Sequence, residues 1–382
     1  MNYDYIKQAV ELPLLFILKF YKNQEVPNPK RILIINTALI GDTLASLPAL
    51  SKFIENRKHA KIDILVPSPM KSVFEKVEGI NKVYIAKSLT NRKIEKERSD
   101  KQLEEMIHNK YDLIVIIRLS ADAYGVLRKL NAKSIKSPFF PYSKYLLNLT
   151  QGGILSKGKN VKQYRTVNFE LIGEKIEDRP FEKIFNFSRI DYEKIKKIPV
   201  MGGREKKIII HTGSGWRRLW DNGKWAELIR KINGIGKYKF IFVGGNYQEE
   251  RDFKEIQSML DFKICSLINK VDLAELLLVM RLSDCFIGVD SGPRNMAHLA
   301  DLRSVSLLGP GPRHFMPFSK KDIVIDRSNC ICFHLFCLRK ETCMQKIGVP
   351  EVFEGFKKLQ RQRINNGPSI KTESRSWGRK RR

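Results

Sequence analysis

Residues 30–44 read KRILIINTALIGDTL, and the fold turns on how this stretch is read. Arg31-Ile32-Leu33-Ile34-Ile35 is a short β-branched, apolar run, the pattern of a parallel strand buried on both faces. A loop from Asn36 to Asp42 follows, and residues 43–57 then carry the amphipathic spacing of a helix. In an open parallel sheet, ligands lie outside the carboxyl ends of the strands. Asp42 falls at such an end, and Gly41 lets the backbone turn tightly beside it. A carboxylate so placed can accept a proton from a hydroxyl nucleophile. An aspartate at a helix start can equally be an N-cap.

Outward from this unit the pattern repeats. Strands are expected at 62–66, 83–85 and 112–117, with helices at 71–77 and, highly charged and solvated, at 90–110. Residues 137–189 are irregular and rich in aromatics and Lys, and read as an insertion followed by a connection. After a charged linker at 194–207 the alternation restarts. Strands are expected at 208–210, 240–243, 285–289 and 304–308, with helices at 225–232, 250–259 and 294–300. The result is an α/β chain of two Rossmann-like domains, 30–193 and 208–347, with a closing helix in 348–366. At 382 residues the chain exceeds what one core usually holds, which agrees with two.

Charge is the compositional outlier. The 70 Lys and Arg outweigh 41 Asp and Glu, a net +29 that attracts nucleic acid, an anionic membrane surface or a phosphorylated substrate. Six cysteines, four of them late and close together, do not form a secreted disulfide framework and suit a reducing cytoplasm. Within 1–29, the apolar run at 12–21 (LPLLFILKFY) follows acidic Asp4 and Glu11 and has no small-residue cleavage site after it, unlike a signal peptide. A bilayer span needs about 20 apolar residues, so with Lys7, Lys19 and Lys22 around it the run reads as an interfacial helix or as an ordinary packing helix. The basic tail 367–382 is expected to be disordered.

Two further segments carry chemistry. Ile287-Gly288-Val289-Asp290-Ser291-Gly292-Pro293 ends a strand in small residues at a helix start, where backbone N–H groups and the macrodipole favour phosphate. Asp290 would repel phosphate and suits sugar or ribose hydroxyls; a capped tight turn is the alternative. His211-Thr212-Gly213-Ser214-Gly215-Trp216-Arg217-Arg218 joins hydroxyl, backbone and guanidinium donors that suit a diphosphate, or forms a plain surface loop. The Gly-x-x-x-x-Gly-Lys loop of NTPases is absent, as is a Gly-x-Gly-x-x-Gly after the first strand. No Asp-x-Asp pair stands at a strand end to hold a divalent metal.

In order and spacing these segments resemble glycosyltransferase family 9, the heptosyltransferase type of lipopolysaccharide core biosynthesis. The resemblance rests on Leu39-Ile40-Gly41-Asp42, His211-Thr212-Gly213-Ser214 with Lys224-Trp225-Ala226-Glu227-Leu228, Asp290-Ser291-Gly292-Pro293, and Gly309-Pro310, and covers about residues 30–360. It implies a GT-B fold, with the acceptor on the first domain and the donor on the second, and inversion with neither metal nor cofactor required. Asp42 then matches the catalytic base, with Ile40, Gly41 and Thr43 in the acceptor-side loop. Thr212, Ser214, Gly215, Arg217, Arg218, Asp290, Ser291 and Gly292 fall on the donor side, Arg218 against the phosphates. Three positions depart from the family: Asn295 replaces a His, Thr212 a Pro and Arg218 a Lys. Family members often carry a late cysteine cluster like Cys330, Cys332, Cys337 and Cys343, whose spacing lacks the paired C-x-x-C of a zinc site.

The implied activity is transfer from a nucleotide-sugar donor, with ADP-heptose first, to a lipid-linked glycan such as lipopolysaccharide core. The enzyme is then expected on the inner face of the cytoplasmic membrane, peripheral and cytoplasmic. A hexose or N-acetylhexosamine donor is the alternative within the class. A nucleic-acid-binding protein is the rival outside it, supported by the charge and tail alone and by no binding motif.

Overall fold

The computed structural model describes residues 26–86, 93–118, 129–136, 172–175, 177, 179–213, 219–309, 319, 321–327 and 342–365. The apolar run 12–21, the tail 367–382 and most of the irregular stretch 137–189 lie outside these residues.

The first domain is a parallel sheet of β1 (Arg31–Asn36), β2 (Lys61–Pro67), β3 (Ile80–Ala86), β4 (Lys110–Arg118) and β5 (Asn131–Lys136), in the order β3-β2-β1-β4-β5. Between the strands run helices α1 (Ile40–Glu55), α2 (Lys71–Phe74) and α3 (Lys93–His108). The second sheet, also parallel, comprises β6 (Lys206–His211), β7 (Tyr238–Phe242), β8 (Cys265–Ser266), β9 (Cys285–Val289), β10 (Ser304–Leu308) and β11 (Asp322–Asp326), in the order β11-β10-β9-β6-β7-β8. Both are doubly wound, as expected, with β1 beside β4 and β6 beside β9 where the strand order reverses. The Rossmann-like rule puts ligands at those two points.

Two short helices, α4 (Phe181–Ile184) and α5 (Arg189–Lys196), precede the second sheet. Helix α5 starts at a capping box between Ser188 and Asp191, and a 3-10 turn covers Pro199–Met201 before the second sheet. The second domain's helices are α6 (Asn222–Asn233), α7 (Tyr247–Ser258), α8 (Leu273–Arg281), α9 (Gly292–Leu299) and α10 (Val349–Asn365). Val352, Phe356 and Leu359 anchor the last of these in the second core. No helix among the described residues is long and apolar enough to cross a membrane.

The two domains share apolar packing. One continuous cluster joins Leu44 and Leu47 of α1 with Leu276 to Met280 of α8, with Met296, Ala297 and Leu299 of α9, and with Ile209, Ile241 and Phe286 of the second sheet. An interface this hydrophobic resists free hinge motion.

Beneath α9 lies a buried ionic network. Arg294 is 1% exposed. Its Nη2 approaches Asp322 Oδ2 at 3.3 Å, and its Nε donates to Ser306 Oγ at 3.4 Å. Asp322 also accepts from the Ser304 hydroxyl at 2.7 Å and from the Ser319 N–H at 2.8 Å. Burial raises the Asp322 pKa, but the His298 ring, the Arg294 guanidinium and these hydrogen bonds together hold it below the usual carboxylate range.

Two stability predictions follow from this packing. Gly79 has φ +87°, and a Cβ there would meet Ile54 Cγ2 at 2.5 Å. Gly79→Ala should therefore cost about 1–3 kcal/mol in urea unfolding; an unchanged midpoint would contradict this packing. Asp322→Asn strands the buried Arg294 charge and should cost about 3–5 kcal/mol at neutral pH. Because the folded pKa is depressed, the wild-type contribution is complete above the unfolded value, about 4, and lost as pH falls through the folded value. Acid unfolding should thus be shallower in the variant, and parallel acid limbs would refute the assignment.

Candidate functional site

The loop after β1 is held by its own side chains. Asn36 is fully buried, donating from Nδ2 to Ser46 Oγ at 2.8 Å and accepting at Oδ1 from the Ala38 N–H at 3.4 Å. The Thr43 hydroxyl donates to the Ala38 carbonyl at 3.1 Å, and Ser46 Oγ donates to the Thr43 carbonyl at 2.7 Å. Helix α1 begins three residues earlier than the amphipathic pattern indicated. Leu39 takes the N-cap position, with no side-chain cap bond, and Asp42 lies within the first turn. Asp42 is therefore not the N-cap that the sequence left open. It is half-buried, and Leu39 beside it is 72% exposed.

At the reversal point of the second sheet, the carboxyl ends of β6 and β9 lie side by side, with His211 opposite Gly288. His211 is buried and donates from Nδ1 to the Val243 carbonyl at 3.0 Å. Burial pushes its pKa down, outweighing the nearby Glu249 carboxylate at 3.7 Å from Nε2. Glu249 is buried too. Its Oε2 accepts from the Gly245 and Asn246 N–H groups at 2.6 and 3.1 Å, and Asn246 Oδ1 accepts the Glu249 N–H at 3.0 Å. Side chains at Gly213 or Gly244 would collide with this carboxylate. Glu249 thus fixes the loop after β7 by hydrogen bonds and packs against Gly213 of the loop after β6. The Asn246-Tyr247-Gln248-Glu249 spacing is a capping box, a signal present in the sequence but passed over when the helix was placed at 250.

Ser291 takes the N-cap position of α9, but its hydroxyl donates back to the Val289 carbonyl at 3.0 Å and caps nothing. The helix start at Gly292 keeps its positive end open to an anion. Thr212 is buried at the end of β6, while Asp290 and Ser291 are half-buried. Trp220 and Lys224 prove structural: Trp220 Nε1 donates to the Ile347 carbonyl at 3.0 Å, and Lys224 Nζ to the same carbonyl at 3.1 Å. The Trp220 ring packs edge-on against Trp225, with centroids 4.9 Å apart.

The two turns meet across the domains. A Cβ on Gly41 would lie 3.2 Å from Asn295 Nδ2 and 3.7 Å from Gly292 Cα; one on Gly292 would lie 3.3 Å from Ile40 Cγ2 and 3.8 Å from the Gly41 nitrogen. Asn295 Nδ2 donates to the Gly41 carbonyl at 2.9 Å. Of the expected site residues, Ile40, Gly41, Asp42, Ser291 and Gly292 are therefore brought to one place, with Asp290 and Thr212 at the adjoining strand ends. Thr43 is buried beneath them and supports the loop. Ser214, Gly215, Arg217 and Arg218 lie outside the described residues, as do Cys330, Cys332 and Cys337. Cys343 is buried in a turn before α10. Among the described residues no group of three His, Cys, Asp or Glu side chains is placed to hold a metal.

Comparison with known proteins bears on this arrangement. The family model described as glycosyltransferase family 9 (heptosyltransferase) matches residues 159–347. Lipopolysaccharide heptosyltransferase 3 of Escherichia coli is 24% identical over 281 residues, covering 70% of this chain and 80% of the relative. The crystal structure of a family 9 glycosyltransferase from Veillonella parvula matches with a TM-score of 0.69 at 15% identity, covering 89% of this chain and 100% of that one. The E. coli ADP-heptose lipopolysaccharide heptosyltransferase II matches with a TM-score of 0.66 at 18% identity, covering 87% and 99%. Two parallel Rossmann-like domains meeting at their strand ends are the GT-B fold, and the chain is a glycosyltransferase similar to family 9, the heptosyltransferase type.

Proposed function

We propose that the chain is an inverting, metal-independent transferase that moves heptose from ADP-heptose to a lipid-linked saccharide of lipopolysaccharide core type. The observation that carries this reading is the meeting of the Asp42 turn and the Gly292 turn across the domains, where a Cβ on Gly41 would lie 3.7 Å from Gly292 Cα. A base on one domain and an anion-binding helix start on the other, side by side at the strand ends, suit a displacement at a carbon held against both. Asp42 takes the proton of the acceptor hydroxyl as its oxygen bonds to the anomeric carbon. The bond from that carbon to the diphosphate oxygen breaks, and the nucleoside diphosphate leaves with both electrons. The N–H groups at the start of α9 stabilise the departing charge, and the hydroxyl of Ser214 and the guanidinium groups of Arg217 and Arg218 are the donors the sequence offers beside them. Asp290 serves sugar or ribose hydroxyls.

The donor assignment draws on relatives named as heptosyltransferases, one of them for ADP-heptose. A lipid-linked acceptor on an anionic surface accounts for the net charge of +29 and for the apolar run at 12–21. The protein is accordingly placed in the cytoplasm, peripheral on the inner membrane face.

Calorimetric titration with ADP-, GDP-, UDP- and dTDP-sugars tests the donor. Micromolar binding of the ADP series, weakened in Arg218→Ala, is expected; binding of a different series alone would reassign the donor. Asp42→Asn should lower turnover by about 10³-fold or more, while nucleotide affinity changes less than about threefold. Retained turnover would remove Asp42 as the base. Deleting residues 1–24 should release the protein from vesicles containing anionic lipid with its melting temperature unchanged, and undiminished vesicle binding would refute the anchor.

A further inference from the structure

Asn295 stands on the donor-side helix α9, four residues into it, with 7% of its surface exposed. Its Nδ2 donates to the Gly41 carbonyl at 2.9 Å, across 254 positions of sequence and from one domain to the other. That carbonyl belongs to the peptide whose nitrogen is Asp42's own. The bond therefore holds the peptide plane from which the Asp42 side chain departs. We propose that Asn295 is a positioning residue for transfer, one that fixes the Asp42 turn in register with the donor turn. The inference deepens the reading of Asp42 as the base and rests on it.

Two observations favour a positioning role over simple cohesion. The domains are already joined by the continuous apolar cluster that includes Met296 and Ala297, the neighbours of Asn295. Apolar contact is non-directional and sets proximity, whereas a hydrogen bond sets an angle and a register. The interdomain bond from Ala274 N–H to Ser72 Oγ, at 3.4 Å, touches neither turn. Second, Asn295 is a costly way to hold an interface. Its Oδ1 is buried and accepts no hydrogen bond, so the amide spends its desolvation on half of its bonding capacity. A side chain that is poor for stability and still spans the two turns has its reason in function.

The test compares Asn295→Ala, Asn295→Asp and Asn295→His in the full chain. Aspartate keeps the shape and removes the donor. Histidine returns an N–H, at Nδ1, close to the lost one. Turnover is followed as ADP release from ADP-heptose with deacylated lipopolysaccharide core, and binding by calorimetry with ADP. Misplacing a reacting group by about 1 Å costs about 100-fold. The Ala and Asp variants should lose about 10–100-fold in kcat, with ADP affinity within about threefold of wild type and melting temperature little changed; His should recover most of the loss. Hydrogen exchange over residues 37–44 should quicken in the Ala variant while that of β1 stays the same, a readout that needs no substrate. Unchanged exchange with unchanged kcat would overturn the proposal, and so would a fall in ADP affinity that matches the fall in kcat/KM, because Asn295 would then be a donor contact. Asp42→Asn in parallel separates the two ideas. Activity lost there but intact in Asn295→Ala defeats the positioning role alone; activity intact in Asp42→Asn defeats the base, and the positioning role with it.

Discussion

Where the helices Ile40–Glu55 and Gly292–Leu299 begin, their first turns touch across the domains. Gly41 and Gly292 face each other closely enough that a Cβ on either would press on the opposite turn. The two glycines stand in two domains, 251 residues apart in sequence, and the architecture brings them together. Parallel strands deliver each turn to the carboxyl edge of its sheet, and the reversal of strand order opens a crevice there. The apolar faces of α1, α8 and α9 then press the two edges together. Neither helix start carries a side-chain cap, so both positive ends open onto the same space.

Such an arrangement is rigid from below on both sides. On the first domain, Asn36, Thr43 and Ser46 form a closed chain of hydrogen bonds under the loop. On the second, Arg294 and Asp322 sit fully buried beneath α9, an ion pair whose worth lies in geometry as much as in energy, since buried pairs often do no better than apolar packing. Glu249 holds the loop after β7 in the same manner, with the Gly245 and Asn246 N–H groups as partners. Three polar networks, each inside its own domain, hold the elements that line the cleft.

Much of this was legible in the sequence, and the reasons are local. Buried parallel strands are continuous apolar runs, so β1, β9 and β10 stood out, the last two with the same bounds in sequence and structure. Helix starts were placed late. Ile40-Gly41 and Gly292-Pro293 read as loop because glycine is a poor helix former, although both fill first-turn positions here. That error made Asp42 look like a cap. β5 (NAKSIK) and β11 (DIVID) escaped because edge strands need few apolar residues. The helix LAELLLVMR went unseen because, buried between the two domains, it carries apolar residues on nearly every side and so shows no amphipathic period. The contact of Asn295 with Gly41 is of another kind. No local pattern encodes a bond between residues of two domains, and only the folded interface reveals it.

The apolar interface also decides how such a cleft can work. Domains joined by a polar, wet surface can close around a substrate and gain their geometry from the motion. Here Leu276, Leu277, Met296 and their neighbours are already dry in the cluster that joins the two domains, and opening them to water would cost about 25 cal/mol for each Å² exposed. Large closure is therefore expensive, and accuracy has to be built in before substrate arrives. Preorganised dipoles and fixed side chains supply it without reorganisation at the moment of reaction. A pinned turn, two open helix starts and a buried ionic floor are what a cleft of this kind needs in place of a hinge.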